Sequence, residues 1–268
     1  MPLVDLPTGE TIWYKSTGSG PLLLHIHGSA FGHRNFEKMT PLMAENFTVI
    51  DIDLPGYGES KGLPQSSMEG IADQVFGFIQ ASGFGRMHLH GTSFGAMIGL
   101  TLAATHPEVI DRLALSCFLA RYDNAAREMR ATWKRAARDS GMEAVADLTS
   151  VAGFARSFYD RPEAPAQLAS MRVAFSKNTP EAMIAGTETI ERTDLSAYVD
   201  RITAPTLLLA GAEDAMTPFH TADSGYGLSR IAETLPGAEL IVLPDCGHYL
   251  VVEQPEAAAK AVTEFLLR

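Results

Sequence analysis

Short apolar runs alternate with longer stretches of helical spacing along this chain. Residues 22–26, 48–52, 87–90, 113–117, 206–210 and 240–243 are apolar segments of strand length, and residues 11–15 alternate between two faces. Near-continuous apolar strands are those buried on both sides. The pattern therefore predicts an α/β fold, a mostly parallel central sheet flanked by helices. Helices are predicted over about 34–45, 67–82, 94–105, 220–235 and 255–267. The last opens on Gln254-Pro255-Glu256, a proline and an acid suited to a first helical turn. The alternation lapses between about Leu119 and Asp200. No strand is predicted there, and Gly141, Gly153, Pro162, Pro165 and Pro180 punctuate several helices. The expected organisation is a core domain of residues 1–118 and 201–268 with a helical cap insertion of residues 119–200. On the cap, Arg127, Arg130, Lys134 and Arg135 are expected to form a solvated helix face rather than a ligand clamp.

Composition changes this picture little. The chain has 268 residues, 46% of them apolar and 20% charged, enough to bury a core without a disulfide or metal staple. Its 21 basic and 32 acidic residues leave a net charge of −11. That argues against nucleic acid, which needs a basic face, and against an anionic membrane surface. Cys117 and Cys246 form no framework and are expected to be reduced thiols. The first residues carry neither a basic nor an apolar signal region, and no apolar run is long enough to span a bilayer. A soluble, cytoplasmic protein is the expectation, with a small-molecule partner and homo-oligomerisation left open.

The candidate chemistry starts at Gly91-Thr-Ser-Phe-Gly95, directly after the 87–90 run. G-x-S-x-G between a strand and a helix is a nucleophile elbow, with Ser93 at the apex of a strained turn. Such a turn brings the residues two before and two after the serine together, and only glycine lacks the Cβ that would clash. A serine hydroxyl is a poor nucleophile at neutral pH and needs a base held by a carboxylate. In chain order the acid follows the serine and the histidine comes last. Asp214, after the 206–210 strand, is the acid candidate, with Glu213 its competitor and a helix cap its plain alternative. His248, after the 240–243 strand, is the base candidate, with Gly247 letting its loop bend. Among the other histidines, His106 is expected to cap a helix and His220 to start one. His88 and His90 are expected to face flanking helices, and His27 to hold its loop by hydrogen bonds.

Acyl transfer also needs two backbone N–H groups aimed at the developing oxyanion. Phe94, directly after the serine, is expected to supply one. The loop Gly28-Ser29-Ala30 is expected to supply the other, from Ser29 or alternatively Ala30. Arg34 and His33 follow that loop and could meet a substrate carboxylate, with the start of a surface helix as the other reading. Tyr249 is a further candidate substrate contact.

These elements together resemble the α/β-hydrolase superfamily. The likeness rests on His27-Gly28, Asp53-Leu-Pro-Gly-Tyr-Gly-Glu-Ser60, Gly91 to Gly95, Pro205-Thr-Leu-Leu-Leu-Ala-Gly211 with Asp214, and Gly247-His248 with Glu253-Gln-Pro255. Within it, the chain is similar to the lidded branch of 3-oxoadipate enol-lactonases, C–C bond (meta-cleavage product) hydrolases and cofactor-free haloperoxidase-like esterases. The resemblance implies a serine hydrolase with no cofactor and no metal, acting on a small ester or lactone that could carry a carboxylate. C–C bond hydrolysis, amide hydrolysis and perhydrolysis are the alternatives, with a non-catalytic small-molecule receptor a further one. The C–C bond hydrolases typically carry Asn before the nucleophile and Trp after the histidine, where this chain has Thr92 and Tyr249.

Overall fold

Successive residues of the central strands point to opposite sides, and both sides are apolar. Leu24, Ile26, Ile50 and Ile52 join one buried cluster, while Leu23 and Val49 join another on the opposite face. A strand that must bury both faces cannot sit at a solvated edge, and this selects a covered sheet. The computed structural model describes residues 2–29 and 31–268 and realises that arrangement.

The strands are β1 (Leu3–Asp5), β2 (Thr11–Gly18), β3 (Leu22–Ile26), β4 (Thr48–Asp53), β5 (Met87–Thr92), β6 (Ile110–Ser116), β7 (Thr206–Gly211) and β8 (Glu239–Leu243). They form an eight-stranded sheet in the order β1-β2-β4-β3-β5-β6-β7-β8. β1 and β2 are antiparallel, and every pairing from β4 through β3 to β8 is parallel. β1 was not foreseen from the sequence. Its three residues are mostly exposed and carry too little apolar signal to stand out.

The helices are α1 (Thr40–Met43), α2 (Met68–Ala81), α3 (Phe94–Thr105), α4 (Asn124–Ser140), α5 (Met142–Gly153), α6 (Ala164–Ser176), α7 (Pro180–Arg192), α8 (Ser196–Val199), α9 (Leu228–Thr234), α10 (Leu250–Glu253) and α11 (Pro255–Leu266). Residues of α2, α3 and α9 pack on one face of the sheet, and those of α1, α10 and α11 on the other. α3 is buried along nearly its whole length, which explains its run of glycine, alanine and aliphatic residues. None of the helices among the described residues is long and apolar enough to cross a membrane.

Two helices depart from expectation. The stretch 34–45 breaks into a 3-10 turn at Gly32–Phe36 and the short α1. Pro41 has no N–H to continue the earlier turn, so it starts a helix instead. The stretch 220–235 shrinks to α9. Gly227 is its extended N-cap, and His220 lies exposed in the preceding loop rather than at a helix start. His106 does cap α3, at its C-terminus.

Between β6 and β7 the chain runs through α4 to α8 without adding a strand to the sheet. The breaks fall on the foreseen residues. Gly141, at φ +83°, separates α4 from α5, Gly153 closes α5, and Pro165 and Pro180 stand in the first turns of α6 and α7. The segment has its own buried cluster, including Trp133, Met142, Val145, Phe158 and Phe175, joined by Met216 and Tyr249 from the sheet-edge loops. Its two ends, Leu119 to Tyr122 and Leu195 to Val199, belong to the core under the sheet instead.

Candidate active site

The carboxyl ends of β3, β5, β7 and β8 open toward the helical segment, where ligands of open α/β sheets bind. Ser93 stands between β5 and α3 with φ 55° and ψ −116°, a backbone that serine rarely adopts. Its surroundings hold it there. The Ser93 N–H donates to the Ser116 carbonyl at 2.8 Å, and the Ser93 carbonyl accepts from the Ala96 N–H at 3.0 Å. The glycine requirement is steric. A Cβ on Gly91 would fall on the Gly95 carbonyl, and one on Gly95 would fall on the carbonyls of Ile26 and His27.

His248 and Asp214 arrive from the loops after β8 and β7. The His248 Nε2 lies 3.0 Å from Ser93 Oγ, and its Nδ1 lies 3.0 Å from Asp214 Oδ2. With the Nδ1 proton directed at a carboxylate, Nε2 is left to accept from the Ser93 hydroxyl. Asp214 Oδ1 accepts from the Met216 and Thr217 amides, each at 2.8 Å, and Oδ2 accepts from the Thr217 hydroxyl at 2.7 Å. Burial alone pushes this carboxyl up. The His248 imidazole and the Thr217 hydrogen bonds outweigh it and hold Asp214 below its usual range. Glu213 is exposed and accepts instead from the Arg156 amide at 2.9 Å.

The sequence did not single out Thr217. Its hydroxyl is also 2.9 Å from His248 Nδ1, so it braces acid and imidazole together. The His248 loop is tied down from two directions. The His248 amide donates to Gly153 at the end of α5 at 2.6 Å, and the Gly247 amide donates to the buried Glu253 carboxylate at 3.0 Å.

Gly28 packs beside Ser93. A Cβ on it would lie 3.3 Å from that of the serine. The Gly28 amide is taken by Asn35 Oδ1 at 2.8 Å, which leaves Ser29 as the first loop residue whose N–H is uncommitted to that side chain. Phe94 is the first residue of α3, so its N–H has no acceptor one turn back in the helix. Ala30, the alternative to Ser29, lies outside the described residues. His27 does hold the loop. Its Nδ1 donates to the Gly28 carbonyl at 2.7 Å, and its Nε2 accepts from the Leu54 amide at 3.0 Å. Burial keeps this imidazole neutral by lowering its pKa, which suits one donor and one acceptor.

His33 and Arg34 are not brought to this place. The His33 amide and ring both bond Asp53, and Arg34 is exposed on the other side of the 3-10 turn. Asn35, one residue further on, is the side chain of that turn that reaches the site. Tyr249 does reach it, with its ring centroid 5.6 Å from that of Phe31 and 4.9 Å from that of Phe154.

Ser93 and His248 open into a cavity of about 380 Å³. Its walls are largely apolar, with Phe31, Phe94, Trp133, Met142, Val145, Phe175, Met183, Met216 and Tyr249 from both sheet loops and helical segment. Arg130 also lines it, which corrects the expectation of a solvated face. Arg135 is exposed, and Arg127 and Lys134 engage Glu191, but Arg130 is only 6% exposed. The signal was present in the spacing. Ala126, Arg130, Trp133 and Ala137 form the buried stripe of α4, so this arginine occupies a position where helical periodicity places a core residue.

Cys117, Asp214 and His248 bring one ligand atom each to within 4.8 Å of one another. A metal would need the thiolate. Burial, reinforced by the Asp214 charge, pushes the Cys117 thiol well up, and the Asp214 oxygens already accept from amides, hydroxyl and imidazole. The trio fits a hydrogen-bonded array rather than a metal centre.

Residues 21–255 match the family model of the α/β-hydrolase fold. The chain belongs to that family. This α/β hydrolase is 27% identical to the pimeloyl-[acyl-carrier protein] methyl ester esterase of Nitrosomonas europaea, over 92% of this chain and 96% of the relative. It is also 27% identical to the 2-hydroxy-6-oxononadienedioate/2-hydroxy-6-oxononatrienedioate hydrolase of Burkholderia vietnamiensis, over 99% of this chain and 94% of the relative. The crystal structure of the enol-lactonase from Burkholderia xenovorans LB400 shares the fold with a TM-score of 0.87 at 24% identity, each chain covered in full. These relatives occupy the branch that the motifs resemble.

Proposed function

We propose that this hydrolase cleaves small esters or lactones through an acyl-enzyme on Ser93. The observation that carries the reading is the continuous array Ser93 Oγ, His248 Nε2, His248 Nδ1 and Asp214 Oδ2, with 3.0 Å at each step, at the floor of an apolar cavity. Ser93 Oγ attacks the carbonyl carbon while its proton passes to His248 Nε2. The carbonyl π pair moves onto oxygen, which the amides of Ser29 and Phe94 receive. When the tetrahedral intermediate collapses, the C–O bond to the leaving group breaks and His248 returns the proton to that oxygen. An ester releases its alcohol, and a lactone opens with the alcohol still attached. Water then attacks the acyl carbon, gives one proton to His248, and the carbonyl re-forms as Ser93 departs and takes that proton. The product is a carboxylic acid, and the steps require no cofactor. Asp214 holds the imidazole tautomer and stabilises the imidazolium. In this reading residues 119–200 act as a cap over the core of residues 1–118 and 201–268.

The names of the relatives from Nitrosomonas europaea and Burkholderia xenovorans, an esterase and an enol-lactonase, support an oxygen leaving group. Hydrolysis of a C–C bond is the second reading, favoured by the Burkholderia vietnamiensis relative. Thr92 and Tyr249 weigh against it. A fluorophosphonate probe tests the array directly. The expected result is a mass adduct on Ser93 that disappears in His248→Ala, with turnover of short-chain aryl esters by the unmodified enzyme. An unlabelled Ser93 would overturn the reading.

A further inference from the structure

We infer that Arg130 selects substrates that carry a free carboxylate at a distance from the scissile carbonyl. The inference rests on the hydrolase reading of the same cavity. It starts from a charge in an unfavourable place. Arg130 is buried on the stripe of α4 that otherwise carries alanine and tryptophan, and it lines the cavity shared with Ser93 and His248. Removing a guanidinium from water costs several kcal/mol unless an anion or a full set of acceptors replaces the solvent.

The protein supplies little of that replacement. Among the described residues no carboxylate comes within ion-pair distance of Arg130. One Nη2 hydrogen goes to the Tyr122 hydroxyl at 2.6 Å. The guanidinium carbon stands 4.6 Å from the Tyr122 ring centroid and 5.0 Å from that of Trp133. These contacts hold the guanidinium and leave most of its five donors without an acceptor among the described residues. The neighbouring cations on the same helix are treated differently. Lys134 pairs with the Glu191 carboxylate at 2.7 Å, and Arg127 donates to the Glu191 carbonyl at 2.7 Å. The other charged side chains on the cavity wall among the described residues, besides His248, are Glu188 and Arg192, and both are exposed.

A guanidinium held beside two rings, on a residue that lines a largely apolar chamber, matches a carboxylate in geometry and sign. The substrate class is therefore a half-ester or lactone of a dicarboxylic acid. The scissile carbonyl lies over Ser93, the apolar chain lies along Phe175, Met183 and Met216, and the free carboxylate lies on Arg130.

The test compares mono-4-nitrophenyl esters of glutarate, adipate and suberate with the uncharged 4-nitrophenyl pentanoate, hexanoate and octanoate. The wild-type enzyme is expected to prefer the charged member at one or more chain lengths by tenfold or more in kcat/KM. Arg130→Gln is expected to lower kcat/KM for that half-ester about 30-fold, chiefly through KM. The uncharged partner should change less than about threefold, and Arg130→Lys should keep part of the preference. Equal losses on both series would make Arg130 a packing residue and overturn the inference. So would the absence of any charged preference in the wild type, which needs no variant to fold. If neither series is turned over, the hydrolase reading falls, and calorimetry with monomethyl suberate against dimethyl suberate decides the inference by itself. Binding of the acid that weakens at least tenfold in Arg130→Gln, with the diester unaffected, upholds it. Equal binding by both proteins overturns it.

Discussion

The sheet edge and the helical segment between β6 and β7 build one cavity by different means. At the sheet edge, position is set by backbone. Ser93 is held at φ 55° because Gly91 and Gly95 let the end of β5, the start of α3 and the end of β3 meet without a Cβ between them, and the loops that carry Asp214 and His248 are bonded amide to carboxylate and amide to carbonyl. In the helical segment, position is set by side chains on one stripe of a helix, where an arginine takes a place otherwise filled by apolar residues. The difference teaches which part of the chemistry can drift. An atom that must attack needs sub-ångström placement, and backbone closure supplies it. A pocket that must recognise needs only size, polarity and one charge, and these change with single substitutions.

The largest expected effect lies at the sheet edge. Ser93→Ala should lower kcat by about 10⁴-fold or more on any ester the enzyme accepts, with substrate binding retained. Near-native turnover by that variant would remove the proposed distinction between the sheet edge and the helical segment. Next is Gly95→Ala. The new methyl would enter the carbonyls of Ile26 and His27, which are backbone of β3 and its loop and cannot step aside. We expect a loss of about 4 kcal/mol or failure to fold, measured by denaturant unfolding. Gly85→Ala is the control. A Cβ there meets nothing within 4 Å, so stability should stay within about 0.5 kcal/mol.

These two regions also differ in how far the sequence revealed them. The elbow at Ser93 and the loop positions of Asp214 and His248 were legible because their physical requirements are local. A strained turn demands glycine at fixed offsets, and a loop carrying a base demands a bend after a strand. His33 and Arg34 left two readings open for the opposite reason. They follow the Gly28 loop in sequence, but a single 3-10 turn rotates them to Asp53 and to solvent, and Asn35 reaches the cavity instead. No local rule predicts which residue of such a turn faces inward. Arg130 was legible in principle, because its spacing from Ala126, Trp133 and Ala137 is that of a buried stripe. Thr217 was not legible, since its bond to His248 spans loops 31 residues apart.

A smaller effect is expected in the helical segment. Trp133 is buried in that segment's own cluster and carries one face of the Arg130 plane. Trp133→Ala should cost about 3 kcal/mol in unfolding free energy. Ser93 should still label with a fluorophosphonate, because among the described residues the hydrogen bonds that fix Ser93, His248 and Asp214 do not involve that indole. A destabilised variant that keeps its labelling rate would sharpen the comparison. One that loses labelling in proportion would show the two regions to be a single cooperative site.

The smallest effect separates folding from chemistry at Asp214. The folded carboxyl sits below its ordinary value of about 3.9, because the imidazole and the Thr217 hydrogen bonds outweigh burial. The unfolded chain therefore binds this proton first as pH falls. The stabilisation is fully present above pH 4 and is lost as pH drops through the depressed folded value. In thermal melts from pH 6 down to pH 3, wild-type Tm should fall more steeply in the acid limb than that of Asp214→Asn, which has no proton to take up there. The same variant should lose activity at every pH, because an amide can turn its NH₂ toward His248 Nδ1 and hold the wrong tautomer. Parallel acid limbs would mean that the Asp214 network contributes to turnover alone. A shallower limb in the variant would mean that one carboxylate both anchors the loops after β7 and β8 and orients the base, so that the sheet edge acquires its rigidity and its chemistry from the same hydrogen bonds.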